Sequence, residues 1–198
     1  MRKKIAVTGG IGSGKSLALR YIAQMGYPIF SCDEIYKDVI QSPQYIQQIA
    51  LLFPDVIVDG YISRARLAKL VFDNPINRTK INEAAHPLIM ANLYAQMGQC
   101  ECDLVFAEVP LLFEGKFEKN FDQIIYIYRD KTARINDVMS RDGLSLEEVE
   151  KRMAVQFDPD SIDGKKRLMK NDVVVIQNND SVEVLYQKLS DCLQDMKQ

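Results

Sequence analysis

Lys4-Ile5-Ala6-Val7-Thr8 runs into Gly9-Gly10-Ile11-Gly12-Ser13-Gly14-Lys15-Ser16, and Leu17-Ala18-Leu19-Arg20-Tyr21-Ile22-Ala23-Gln24-Met25 follows, ending at Gly26. The middle octet fits G-x-x-x-x-G-K-[ST], and the apolar run before it and the helical periodicity after it supply the strand-loop-helix order that this pattern needs. Glycines permit the φ angles that turn successive N–H groups inward to form a nest for anionic oxygens. Lys15 then reaches the β/γ-phosphates as a point charge, Ser16 offers a hydroxyl to Mg2+, and the helix beginning near Gly14 aims its positive end at the same phosphates. The octet therefore reads as a nucleotide phosphate cradle. A bare glycine turn is the alternative.

Composition narrows the field. The chain has 198 residues, enough for a substantial core, and suits one domain with insertions. A net charge of -2 without a basic stripe argues against nucleic-acid or anionic-membrane partners. No run approaches the roughly 18 to 20 apolar residues of a membrane span. Met1-Arg2-Lys3-Lys4 leads straight into a strand, which does not read as a signal peptide. Cys32, Cys100, Cys102 and Cys192 form neither a disulfide scaffold nor paired C-x-x-C units, so a reducing cytoplasm is the expected setting.

Further along, Tyr27 to Asp33 reads as a second strand that delivers Asp33 to its carboxyl end, where open parallel sheets hold ligands. Residues 34–98 turn helical, over Tyr45 to Phe53, Ser63 to Phe72 with Ser63 as cap, and Pro75 to Met97. Such a stretch is too long for a crossover and implies an inserted subdomain. Asp103 to Pro110, Gln123 to Tyr128 and Asp172 to Ile176 complete a set of five strands. Lys131 to Arg141 and Leu146 to Phe157 form two helices, the second capped by Ser145 with Glu148 as partner, and Val182 to Met196 ends the chain as an amphipathic helix. The cluster Asp163 to Arg167 reads as a solvated loop. This alternation predicts an α/β fold, a parallel five-stranded sheet with helices on both faces.

Asp33 is the carboxylate best placed to act as base or to orient an acceptor, with helix capping as its plain alternative. Glu108 ends the third strand, where a carboxylate holds Mg2+ or its waters, or simply meets solvent. His86 is the only histidine, and Pro87 biases it toward an extended or helix-starting geometry. Packing or substrate positioning suits it better than catalysis. Arg141, Lys151, Arg152 and Gln156 lie on or beside the helical pair, and arginine forks match phosphate oxygens. An ordinary charged helix surface is the other reading.

Taken with Gly60, Arg64 and Leu67, with His86-Pro87-Leu88-Ile89, with Pro110-Leu111-Leu112-Phe113-Glu114, and with Arg141-Asp142-Gly143 and Arg152 through Gln156, the chain resembles the dephospho-coenzyme A kinase family over nearly its whole length. The resemblance implies a P-loop kinase-like fold and transfer of the ATP γ-phosphate to the ribose 3'-hydroxyl of dephospho-coenzyme A. It assigns Gly10, Ile11, Gly12, Ser13, Gly14, Lys15, Ser16 and Leu17, with Arg141 and Arg152, to ATP. It places Asp33, Arg64, His86, Pro110, Leu111, Leu112 and Glu114 at the acceptor, makes Asp33, Lys15 and Arg141 catalytic, and gives Mg2+ to Ser16 and Glu108. Residues 1–33, 99–130 and 171–198 become the core, 34–98 the acceptor subdomain and 131–170 a lid.

Three positions depart from the family pattern. Ser31-Cys32-Asp33 stands where Asp-x-Asp is usual, Asp137 where an arginine is common four residues before Arg141, and Asp172 matches the usual Ala-Asp with a one-residue shift. Another small-molecule or nucleoside monophosphate kinase shares the loop, since fold does not fix the acceptor. A slow nucleotide-dependent switch is the rival of another class, and the chain lacks an Asn-Lys-x-Asp guanine-reading sequence.

Overall fold

Five short apolar runs pair into one sheet because each must bury two faces and satisfy its backbone. The computed structural model describes residues 2–197, the side chains at 72 and 73 excepted. Its strands are β1 (Lys3–Thr8), β2 (Ile29–Ser31), β3 (Ile57–Val58), β4 (Tyr61–Ile62), β5 (Leu104–Glu108), β6 (Gln123–Tyr128) and β7 (Val173–Gln177). The main sheet has the order β2-β5-β1-β6-β7, and β1 runs parallel to both its neighbours. The helices are α1 (Lys15–Gln24), α2 (Cys32–Val39), α3 (Pro43–Leu52), α4 (Arg64–Asp73), α5 (Pro75–Gln99), α6 (Lys131–Asp142), α7 (Leu146–Met153), α8 (Ile162–Leu168) and α9 (Val182–Asp195).

The chain divides into two compact units, Met1–Ile29 with Cys100–Gln198, and Phe30–Gln99. In the first, β1, β5 and β6 are nearly continuous apolar runs, as strands covered on both faces must be. Ile5, Val7, Phe106, Ile125 and Ile127 have no exposed surface and pack with Ala18, Leu19 and Ile22 of α1 and Leu185 and Leu189 of α9. Each of the larger of these side chains stabilises the fold by about 1.5–3 kcal/mol. Tyr21 stacks on Tyr186 with ring centroids 4.5 Å apart, fixing α1 against α9. In the second unit α2, α3 and α4 pack on the long α5. Tyr45, Ile49, Leu93 and Met97 are the largest fully buried side chains among its described residues.

Several local readings change. The strand before Asp33 stops at Ser31, which occupies the N-cap position of α2 in an extended conformation, so Asp33 lies in the first turn of a helix. A carboxylate there is favoured by the helix N-terminus, and the apolar residues 27–32 had disguised the boundary. Pro87 sits inside α5, and His86 is therefore mid-helix. The missing N–H removes one helical hydrogen bond, which the surrounding packing tolerates. The cluster at 163–167 is helix α8, capped by Ser161 Oγ accepting from Gly164 N at 3.0 Å. Gly164 is required there because a Cβ would stand 1.9 Å from the Asp158 carbonyl oxygen. The helix expected to Phe157 ends at Met153, and its capping box of Ser145 and Glu148 forms as the spacing implies. The antiparallel pair of β3 and β4 is too short for period-2 alternation to reveal.

Candidate active site

The phosphate loop leaves β1 at the carboxyl end of the sheet's central strand. Gly12 and Gly14 hold φ angles of +75° and +88°, which lets the chain reverse and enter α1. Gly14 is the N-cap residue of α1 and has no side chain to satisfy the helix's first amides. Those donors, with the helix dipole behind them, form an anion-binding end. The turn is closed by Ser13 N donating to Gly10 O at 3.1 Å.

Three elements hold the loop from outside. Asn178, buried just past β7, donates from Nδ2 to the Ser13 carbonyl at 2.8 Å, and a Cβ on Gly14 would fall 2.1 Å from that nitrogen. Gln156, beyond the end of α7, accepts from Ile11 N at 2.9 Å. Arg134 in the first turn of α6 lies against the loop, with Nη1 2.1 Å from where a Cβ on Gly10 would stand and its carbonyl oxygen 2.8 Å from a Cβ on Gly12. The glycines are thus fixed by close approach as well as by φ.

Lys15 and Glu108 form an ion pair, their side chains 15% and 20% exposed. Val7 stands opposite Glu108 on the parallel β1–β5 ladder, so β1 and β5 end at the same level, and the loop brings Lys15 at the start of α1 back to Glu108. Ser16 is exposed in the first turn of α1. Among the described residues no group of three or more His, Cys, Asp or Glu forms a metal cage. Mg2+ in nucleotide sites takes only one or two protein ligands, the rest being phosphates and water. An exposed Ser16 hydroxyl and the Glu108 carboxylate fit that requirement.

Pro110 to Glu114 forms a turn after β5. Leu112 is fully buried and Phe113 nearly so, and the Phe113 ring stacks on Phe157 at 4.1 Å. Glu114 keeps exposed surface; its Oε1 accepts from Phe157 N at 2.7 Å, and partial desolvation of the carboxyl pushes its pKa above the ordinary 4.5. Arg167 of α8 lies 4.9 Å from the Phe113 ring centroid, pairs with Glu118 and donates to the Phe113 carbonyl at 2.8 Å. These contacts tie the β5 loop to the segment that carries Gln156.

The other sequence candidates lie in different settings. Arg141, exposed at the end of α6, grips its neighbour Asp142 through Nε and Nη2 at 2.7 and 2.8 Å. Arg152 is exposed in the last turn of α7. Asp137 pairs with Arg129. In the second unit Asp33 is exposed on α2 and Arg64 on the first turn of α4, while His86 is half-buried on α5, where burial lowers its pKa. A groove of about 650 Å³ between α3 and α5 is lined by Gln44, Gln48, Leu52, Lys80 and Pro87, and none of Asp33, Arg64 and His86 lines it.

Sequence reasoning missed Arg134 and Asn178. Asn178 was hidden in a polar turn, although an asparagine directly after a buried strand is a usable signal. Arg134 gave none, because a basic residue in an amphipathic helix ordinarily meets solvent.

The family model described as Dephospho-CoA kinase matches residues 3–183. The dephospho-CoA kinase of Fusobacterium nucleatum is 33% identical over 188 residues, covering 93% of this chain and 94% of that protein. Among solved structures, dephospho-CoA kinase from Campylobacter jejuni superposes with a TM-score of 0.69 at 27% identity, covering 99% and 98% of the two chains. Shikimate kinase from Acinetobacter baumannii, at 15% identity, a TM-score of 0.57 and coverage of 100% and 96%, shares the fold alone. With a P-loop cradle intact at the sheet's centre and a family match across almost the whole length, the chain belongs to the dephospho-CoA kinase family.

Proposed function

We infer that the protein transfers the γ-phosphate of ATP to the ribose 3'-hydroxyl of dephospho-coenzyme A, giving coenzyme A and ADP. The observation that carries this is the family match over residues 3–183 combined with a glycine loop that enters α1 through Gly14, an N-cap residue with no side chain to occupy the helix's first amides. The ATP phosphates lie on those amides, and Lys15 exchanges Glu108 for the β/γ-phosphate oxygens. Asp33 orients the 3'-hydroxyl and accepts its proton as the new oxygen–phosphorus bond forms and the bond to the ADP oxygen breaks. Arg141 and Arg152 spread charge from the lid at 131–170, and closure of that segment keeps water from the γ-phosphate. Arg64 and His86 of residues 34–98, and in the first unit Pro110, Leu111, Leu112 and Glu114, are the groups assigned to the acceptor. Mg2+ held by Ser16 and Glu108 would neutralise phosphate charge. Among the described residues no helix is long and apolar enough to cross a membrane, and a cytoplasmic setting accords with ATP and dephospho-coenzyme A as the small-molecule partners.

The test compares turnover with dephospho-coenzyme A, AMP and shikimate, in the native protein and in Asp33→Ala. Preference for the first acceptor is expected, with turnover of the variant down by about 10²–10⁴-fold while ATP still binds. Preference for AMP or shikimate would overturn the acceptor, and near-normal turnover in the variant would remove Asp33 from the mechanism.

A further inference from the structure

We propose that Arg134 is a ligand of the donor nucleotide's phosphates, a role resting on the reading of the loop as an ATP cradle. Arg134 is 7% exposed, and its Nε is buried without a hydrogen-bond partner. None of the ion pairs among the described residues includes it, although Arg129 and Arg141 on either side have Asp137 and Asp142. A guanidinium cannot shed its proton at any ordinary pH, so a charge withdrawn from water must be compensated by an anion or remain a cost to folding. Its position in the first turn of α6 adds to that cost, since a helix N-terminus disfavours cations.

The direction of the side chain identifies the anion. Its Nη1 occupies the space that Gly10 leaves bare, 2.1 Å from the position of a Cβ there, with Cζ at 3.3 Å and Gln156 Oε1 at 3.5 Å from the same point. The charge therefore rests against Gly10 of a loop read as a cradle for anionic oxygens. A polyphosphate entering the nest supplies the missing counter-charge, and the fork geometry of arginine suits its oxygens. The ligand class is a nucleoside di- or triphosphate. Arg141, exposed and gripped by Asp142, is less poised for this.

Calorimetric titration of ADP into native protein, Arg134→Met and Arg134→Lys tests the assignment, with thermal unfolding of each measured without nucleotide. The methionine variant is expected to bind ADP about tenfold or more weakly. Its nucleotide-free unfolding midpoint should be equal or higher, because an uncompensated charge has been removed. The lysine variant should fall between the two in affinity. Unchanged ADP affinity in Arg134→Met overturns the proposal. So does a loss of affinity matched by a fall in the nucleotide-free midpoint and not relieved by lysine, which would mark a packing role. If native protein binds ADP but does not phosphorylate dephospho-coenzyme A, the proposed acceptor fails while the Arg134 result stands.

Discussion

Oε1 of Gln156 accepts a hydrogen bond from the backbone N–H of Ile11 at 2.9 Å, across 145 residues of chain. The contact joins the segment after α7 to the phosphate loop, and Phe157 beside it is held by Glu114 and Phe113. Replacing Gln156 with Leu leaves a partly buried donor unmet, at a cost of about 1 kcal/mol. The expected readouts are a slightly lower unfolding midpoint and a several-fold higher KM for ATP. An unchanged KM would show that the loop needs no support from this side.

The Lys15–Glu108 pair makes a second prediction. In Glu108→Gln, Lys15 loses its competing carboxylate, so metal-free ADP should bind several-fold more tightly. Turnover with Mg2+ should fall, because the carboxylate proposed to hold the metal or its waters is gone. Calorimetry with and without Mg2+ separates the effects, and unchanged turnover would exclude Glu108 from metal binding.

Gly12 combines a φ of +75° with a Cβ position 2.8 Å from the Arg134 carbonyl oxygen and 2.9 Å from Val138 Cγ2. Gly12→Ala is expected to cost about 1–3 kcal/mol through backbone strain alone. It should also abolish measurable ATP binding by pushing the loop off α6. Native affinity in the alanine variant would contradict the packing described.

Glu114 links the site to pH. Because partial desolvation raises its folded-state pKa above 4.5 although the residue keeps exposed surface, the ionised form is disfavoured in the native protein. Its contribution to stability is present below the unfolded value and lost as pH rises through the folded one. Glu114→Gln keeps an oxygen for Phe157 N and removes the charge. The variant should match native protein in unfolding free energy below pH 4.5 and exceed it increasingly toward neutral pH. A constant difference across that range would contradict the assignment.

The sheet was legible because its strands are buried on both faces and read as unbroken apolar runs, of which Leu104 to Ala107 is the clearest. The loop was legible because glycine spacing encodes backbone geometry directly. The start of α2 was not: Cys32 and Ile35 are buried helix residues whose spacing merges with the preceding strand. Helix α8 escaped because its charges, notably Arg167, are engaged by Glu118 and Phe113 from a distant loop, a tertiary effect with no local signature. The same limit hid Arg134. A side chain's partners lie elsewhere in the chain, and composition cannot say whether a cation faces water or a cradle.

Phosphorus NMR of the product formed from ATP and dephospho-coenzyme A tests the central claim most directly. The account predicts a new phosphomonoester on the ribose 3'-oxygen, appearing in step with ADP. ADP accompanied only by inorganic phosphate, or a phosphate on any other oxygen of the acceptor, would contradict it.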